Sequence, residues 1–259
     1  MPAIVTLLTD FGLADTYVGQ VKGAILAVAP GATLIDLTHG VEPQDVRGGA
    51  FLLWAAVGAF PPGTIHLAVV DPGVGSGRRA LAARSAGGHL LVGPDNGLLG
   101  PALDLLGGAI ACVELSVPRY WRPRPSATFH GRDIFGPVAG HLAAGASLEA
   151  LGPPASVSRP FGLPTPELRG EQLVGEVVHV DRYGNLVTNL PADAVAPGGA
   201  VAIAGQRVER RAHYAAAAPA GLLALEGSAG LIEISARDAS AAARLGVARG
   251  ARVTAARWR

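Results

Sequence analysis

Val69-Val70-Asp71-Pro72-Gly73-Val74-Gly75-Ser76-Gly77-Arg78-Arg79 closes an apolar run that begins at Thr64. The run stops at an acid, and the proline and three glycines that follow sustain neither a helix nor a ladder. The stretch therefore reads as a buried strand that delivers a carboxylate to a tight, backbone-rich loop. In open α/β sheets, ligands sit just beyond the carboxyl ends of strands. The loop is short enough to bring the Arg78 guanidinium back toward Asp71. Two readings stand side by side at this point: a strand-end turn with a surface ion pair, or a polar site built from a carboxylate, a cation and exposed backbone amides.

The same grammar recurs on either side. Ala3 to Thr9 is a β-branched apolar run that ends at Asp10-Phe11-Gly12, a first buried strand with an acid at its carboxyl end. Thr16 to Val28 has helical spacing and stops at Ala29-Pro30-Gly31. Thr33 to Leu37 is expected as a second strand and Gln44 to Ala59 as a second helix, ended by Pro61-Pro62-Gly63. Leu81 to Val92 reads as two strands around Gly87-Gly88, Leu98 to Leu106 as a short helix, and Val138 to Leu151 as a longer one. Alternation of this kind predicts a three-layer α/β domain with a mainly parallel sheet. After the proline-rich stretch Gly152 to Pro166, short strands between turns replace the helices, which predicts a smaller β-barrel or sandwich. The expected domains are 1–158 and 170–259, joined by a linker at 159–169.

With 259 residues, 49% of them hydrophobic and 16% charged, the chain can bury one large core or two modest ones. Its 21 basic and 20 acidic side chains leave a charge of +1 without any long run of one sign, which argues against nucleic acid or an anionic membrane as partner. A single cysteine, Cys112, leaves no internal disulfide or multi-cysteine zinc site, and its apolar neighbours suggest a buried strand residue. No cleavable leader pattern or span-length apolar run is present, so a cytoplasmic location is expected.

Three acids fall at expected strand ends: Asp10, Asp71 and Asp95. One such acid is commonly a turn or cap residue, but a single sheet would bring three into one crevice. Asp10-Phe11-Gly12 spells the magnesium triplet of protein kinases without the glycine-rich loop or HRD sequence that should precede it, so that reading is rejected. Gly73 to Gly77 lacks both the Gly-Lys-Ser/Thr ending of a phosphate loop and a GxGxxG opening. His130 sits between Phe129 and Gly131, either as a satisfied side chain at a helix start or as part of a site. His39 and His66 are read as structural. Asp181-Arg182-Tyr183-Gly184-Asn185 is a turn whose acid, ring and amide could also hold a polar aromatic ligand.

Leu8 to Gly12, Asp71 to Arg79, Pro94-Asp95-Asn96-Gly97-Leu98, Thr128 to Phe135 and Tyr183-Gly184-Asn185, taken in order, resemble the S-adenosyl-L-methionine hydroxide adenosyltransferase family, once called DUF62 and related to fluorinases and chlorinases. The resemblance implies an N-terminal α/β domain, a C-terminal β-barrel, and a homotrimer with its sites at subunit interfaces. It implies hydrolysis of S-adenosylmethionine to adenosine and L-methionine, water or hydroxide attacking the ribose C5′ carbon. The catalytic set carries over to Asp71, Arg78 and His130. Asp10 falls on the ribose diol, and Asp15, Asp181 and Ser228 on the methionine end. Tyr183 and Asn185 fall on the nucleoside, and Phe129 walls the reaction centre. S-adenosylmethionine is the substrate, and no cofactor or metal is implied.

The halogenating relatives carry a tyrosine at the place of Asp71, a threonine at Val74, and a tyrosine and serine at His130 and Gly131. An anionic Asp71 would also repel halide. Two other readings stay open: a sensor that binds S-adenosylmethionine or adenosine without turning it over, and halogenation.

Overall fold

The computed structural model describes residues 2–258. Residues up to Gly162 form one compact unit and those from Leu163 a second. The stretch 159–169, expected as a linker, carries a short strand at its end.

In the first unit the strands are β1 (Ile4–Thr9), β2 (Thr33–Thr38), β3 (Ile65–Val69), β4 (Ala80–Ser85), β5 (Leu90–Pro94) and β6 (Ala109–Glu114), in sheet order β2-β1-β3-β5-β4-β6. The first three and β5 run parallel, and β4 pairs antiparallel with both β5 and β6. Helices α1 (Tyr17–Val28), α2 (Val46–Val57), α3 (Gly100–Leu105) and α4 (Gly136–Ala143) cover the two faces. Strand alternation explains the layering. Leu67 and Val69 of β3 pack with Val21 and Ile25 of α1 and Val138 of α4. Ala68 and Val70 face the other way, onto Leu53 of α2 and Leu103 of α3. A strand buried on both sides reads as a near-continuous apolar run, interrupted here only by His66, which is why β3 stands out in the sequence.

The order reverses at β1: the chain moves from β1 outward to β2, then returns to place β3 on the opposite side. This is the topological switch point, where the crevice beyond the strand ends opens. The residues leaving β1 and β3 there include Asp10 and Asp71.

Two expectations for this unit fail. The long helix over Val138 to Leu151 is a shorter α4 that ends at Ala143, followed by a turn at Ala144-Gly145 and a separate 3-10 turn at Leu148–Leu151. A π-helical segment, Gly131–Phe135, precedes α4, because its backbone bonds skip one residue further than in an α-helix. Cys112 is half-buried on the edge strand β6 rather than in the interior, and its neighbour Ile110 is exposed. Burial still pushes its thiol up to about 11, well away from a nucleophile.

The second unit is antiparallel. Its strands β7 (Glu167–Arg169), β8 (Gln172–Val180), β9 (Leu186–Pro191), β10 (Ala200–Ile203), β11 (Gln206–Glu209), β12 (Leu222–Glu226), β13 (Leu231–Ala236) and β14 (Arg252–Ala256) follow the path β11-β10-β14-β8-β9-β13-β12, with β7 on β8. A bridge between Arg210 and Ala224 joins the two ends of the path, so the sheet curls into a near-closed barrel around Val177, Leu190, Ile232, Ile234 and Val253. A five-residue helix, α5 (Ala241–Leu245), capped by the Ser240 hydroxyl, was not expected.

Inside the first unit, Thr6, His66 and His89 form a buried chain, with Thr6 Oγ1 2.8 Å from His66 Nδ1 and His66 Nε2 3.1 Å from His89 Nδ1. Burial, and then the neighbouring His89, lower the pKa of His66 to about 4. The unfolded chain therefore takes up protons that the folded one refuses between pH 6.5 and 4. Stability is expected to fall across that window by on the order of 3 kcal/mol, read from urea midpoints against pH. In a His66→Gln protein the slope over the same window should flatten.

Candidate active site

Asp10, Phe11, Gln44, Val69, Asp71 and His130 are among the residues that line a cavity of about 220 Å³ beyond the carboxyl ends of β1 and β3. Its floor is set by backbone geometry. The Thr9 hydroxyl lies 2.8 Å from His39 Nδ1 and accepts from the Phe11 amide at 3.3 Å, which fixes the chain on both sides of Asp10. Asp10 Oδ2 accepts from the Gln44 amide at 2.8 Å. Gln44 has φ 68, a conformation unusual for a side-chain-bearing residue, and it delivers that amide just ahead of the Asp45 cap of α2. Sequence reasoning missed Gln44, because a backbone donor leaves no residue-type signal.

Asp71 and Arg78 are joined by two parallel bonds. Nε donates to Oδ1 at 2.9 Å and Nη2 to Oδ2, and the two side chains are only 5% and 12% exposed. Nη2 also lies 2.9 Å from His130 Nδ1. A guanidinium only donates, so Nδ1 is the acceptor and the neutral ring carries its proton on Nε2. Burial first, and then the Arg78 charge, lower the His130 pKa, while Asp71 and Asp133 oppose that shift. The Arg78 plane also lies 5.2 Å from the Phe135 ring centre. Two residues of one short loop and a third 52 positions beyond Arg78 thus form one hydrogen-bonded set.

The loop geometry explains how they meet. Ser76 closes the turn by donating to the Gly73 carbonyl at 2.7 Å, and its oxygen accepts from the Arg78 amide at 3.3 Å. Gly75 has φ 76, and a Cβ there would lie 2.3 Å from the Ala127 carbonyl oxygen. Only glycine lets the Asp71 loop lie against the segment that leads to His130.

Phe129 stands with Phe11 and Tyr17 in an edge-to-face trio, with centroids 5.6 and 5.1 Å from Phe129. Asp15 is exposed on the loop before α1. The expected third acid of the crevice belongs elsewhere. Asp95 accepts from Arg79 Nε at 2.9 Å and from the Ser158 amide and hydroxyl at 2.8 and 2.9 Å, so it ties the Ser156–Ser158 segment to the sheet. Its local sequence resembles that of Asp71, and only the partners separate them.

In the second unit, Asp181 Oδ1 accepts from the amides of Tyr183 and Asn185, both at 2.8 Å, and Oδ2 accepts from Asn185 Nδ2 at 2.9 Å. The loop holds Asn185 buried and leaves Tyr183 78% exposed. Ser228 is exposed in the turn between β12 and β13. Gly184 has φ 81, and a Cβ there would lie 2.0 Å from the Ser240 hydroxyl. Among the described residues, no group of three or more His, Cys, Asp or Glu is arranged to hold a metal ion.

Residues 5–152 match the SAM hydroxide adenosyltransferase N-terminal domain and residues 175–254 its C-terminal domain. The chain belongs to this family. It is 44% identical over 263 residues, 97% of each chain, to a Salinispora arenicola protein named (R)-S-adenosyl-L-methionine hydrolase. A Thermus thermophilus protein of the same name is 42% identical over 95% of this chain and 96% of its own. The crystal structure of an uncharacterized conserved protein from Thermotoga maritima superposes with a TM-score of 0.91 at 34% identity, covering 98% of this chain and 100% of that one. The N-terminal match falls within the first compact unit and the C-terminal match within the second.

Gly75→Ala is expected to cost about 1–3 kcal/mol in the first unit, and Gly184→Ala a similar amount in the second, each read from a chemical unfolding midpoint. Equal stability for Gly75→Ala would mean that the two loops are not held by their backbones.

Proposed function

We propose that the protein hydrolyses S-adenosyl-L-methionine to adenosine and L-methionine, with water attacking the ribose C5′ carbon. The observation that carries this reading is the set Asp71, Arg78 and His130, hydrogen-bonded at the rim of a cavity in a chain of this family. The sulfonium substrate already holds a good, neutral leaving group. What remains is to position a nucleophile in line and strip it of competing water.

With Nδ1 taken by Arg78, His130 offers Nε2–H to the oxygen of the attacking water. Asp71 keeps lone pairs beyond those bound to Arg78 and can accept one of that water's hydrogens. Together they aim an oxygen lone pair at C5′ and favour negative charge developing on it. The C5′–O bond forms as the C5′–S bond breaks, the sulfur keeps the electron pair, and one proton is released overall. No cofactor is required by this scheme.

Asp10, one oxygen of which accepts from the Gln44 amide, would accept from the two ribose hydroxyls. Phe129 walls the reaction centre, Asp15, Asp181 and Ser228 hold the methionine end, and Tyr183 and Asn185 the nucleoside. Asp181 would do so with lone pairs left over from its own turn. The reading includes a homotrimer in which the C-terminal unit of one copy completes the site of another, and a cytoplasmic location. No helix among the described residues is long and apolar enough to cross a membrane.

The decisive assay uses ¹⁸O-labelled water. Label in the 5′ oxygen of adenosine, beside unlabelled methionine, is the expected result; intact substrate despite measurable binding would turn the protein into a sensor. Arg78→Lys, which loses the two-pronged bond to Asp71 as well as the contact to His130, should lower kcat by about 100-fold or more. Because the His130 pKa is lowered, its acceptor role survives mild acid, and kcat should decline only below pH 6.5. A decline that begins above pH 7 would sink the tautomer assignment.

A further inference from the structure

Asp133 is 1% exposed, and the scheme above gives it no task. A carboxylate withdrawn from water to this degree persists only when its oxygens are occupied. Oδ2 accepts from the Ser126 amide at 2.8 Å and from Arg132 Nη2 at 2.9 Å, and Oδ1 accepts from Arg132 Nε at 2.7 Å. The ion pair is formed by adjacent residues. In a regular α-helix such neighbours point about 100° apart and do not meet. Here they lie inside the π-helical segment that starts directly after His130.

The bonds around this pair close a loop. The Phe129 amide donates to Ser126 Oγ at 3.1 Å, and the Asp133 amide donates to the Phe129 carbonyl at 3.1 Å. Phe129 and His130 therefore ride on a segment whose two ends are bonded through the Asp133 carboxylate. Arg132 extends the tie outward. Its guanidinium lies 5.1 Å from the Phe129 ring centre, and Nη1 donates to Gln20 Oε1 at 3.0 Å. Gln20 in turn donates to the Thr16 hydroxyl at 2.9 Å, at the end of the loop that carries Asp15.

We propose that the buried Asp133 and the partly exposed Arg132 paired with it form a positioning element for the reaction, a strap that holds His130 Nδ1 on Arg78 and Phe129 against the cavity. It touches no substrate. An ion pair with one partly exposed member adds little stability; what this one supplies is direction. The direction needed here is that of one imidazole nitrogen toward one guanidinium hydrogen. This inference rests on the role given to His130 above.

The test uses the full chain carrying Asp133→Asn or Arg132→Lys, with kcat and KM for S-adenosylmethionine and ¹⁵N NMR of the histidine rings. In the unaltered protein His130 should give an unprotonated Nδ1 and a protonated Nε2. Either substitution should mix the two tautomers and lower kcat by about tenfold or more, with a smaller change in KM. The charged groups facing His130 are Arg78, Asp71 and Asp133, with Asp10 in the same cavity, so the spectra belong at one pH near 8, where the ring is neutral in every variant. Should Asp133→Asn fail to fold, Arg132→Lys decides, since it keeps the charge and loses the guanidinium's two-pronged bond to Asp133 together with its contacts to Phe129 and Gln20. A folded variant with unchanged kcat, or with lowered kcat and an unaltered His130 tautomer, overturns the strap. Absence of turnover in the unaltered protein would overturn the hydrolase reading instead, and the NMR comparison would still decide this one.

Discussion

The guanidinium of Arg78 is shared between Asp71 and His130, and the arrangement of the first unit makes that sharing possible. One planar cation donates three bonds in fixed directions, two to the carboxylate and one to the imidazole. Its geometry sets the tautomer of the histidine, and the tautomer decides which ring nitrogen carries the proton. A lysine could supply the charge but not the directions. The pair is nearly buried, so each member would be costly without the others.

Bringing these groups together is the task of the sheet. Strand β3 is buried on both faces, with His66 its one polar side chain, which holds it in the centre, and the reversal of strand order beside β1 opens a crevice where both strands end. Asp10 arrives there because it directly follows β1, and Asp71 because it follows β3 after the single residue Val70. His130 arrives by another route, on a loop closed by Asp133 and pressed against Gly75, ahead of a π-helical turn. The site thus combines a rigid floor with a tethered arm. The family's reaction, in which positioning replaces acid catalysis, suits such a construction.

The strands, the position of Asp71 and Asp10 at their ends, and the change from alternating helices and strands to short antiparallel strands were legible in the residues. They follow from local rules: apolar runs of strand length, glycines and prolines that end them, and periodicity that changes after Pro166. Five short motifs in order then pointed to the family. Asp95 was not separable from Asp71 by these rules, since both are acids after an apolar strand. Their difference lies in Ser158 and Arg79 for the one and Arg78 for the other.

Sequence by itself determined which segments must be buried and where the chain must turn, because burial and backbone freedom depend on residue type and near neighbours. Tertiary structure alone decided which carboxylate meets which cation, which nitrogen of His130 holds the proton, and that Gln44 fixes Asp10 through its amide. It also ended α4 at Ala143, where the apolar pattern from Val138 to Leu151 reads as one helix, and placed a π-helical turn ahead of it. Hydrogen bonds between groups 52 residues apart, as for Arg78 and His130, are set by the packing of the whole sheet, and no local preference encodes them.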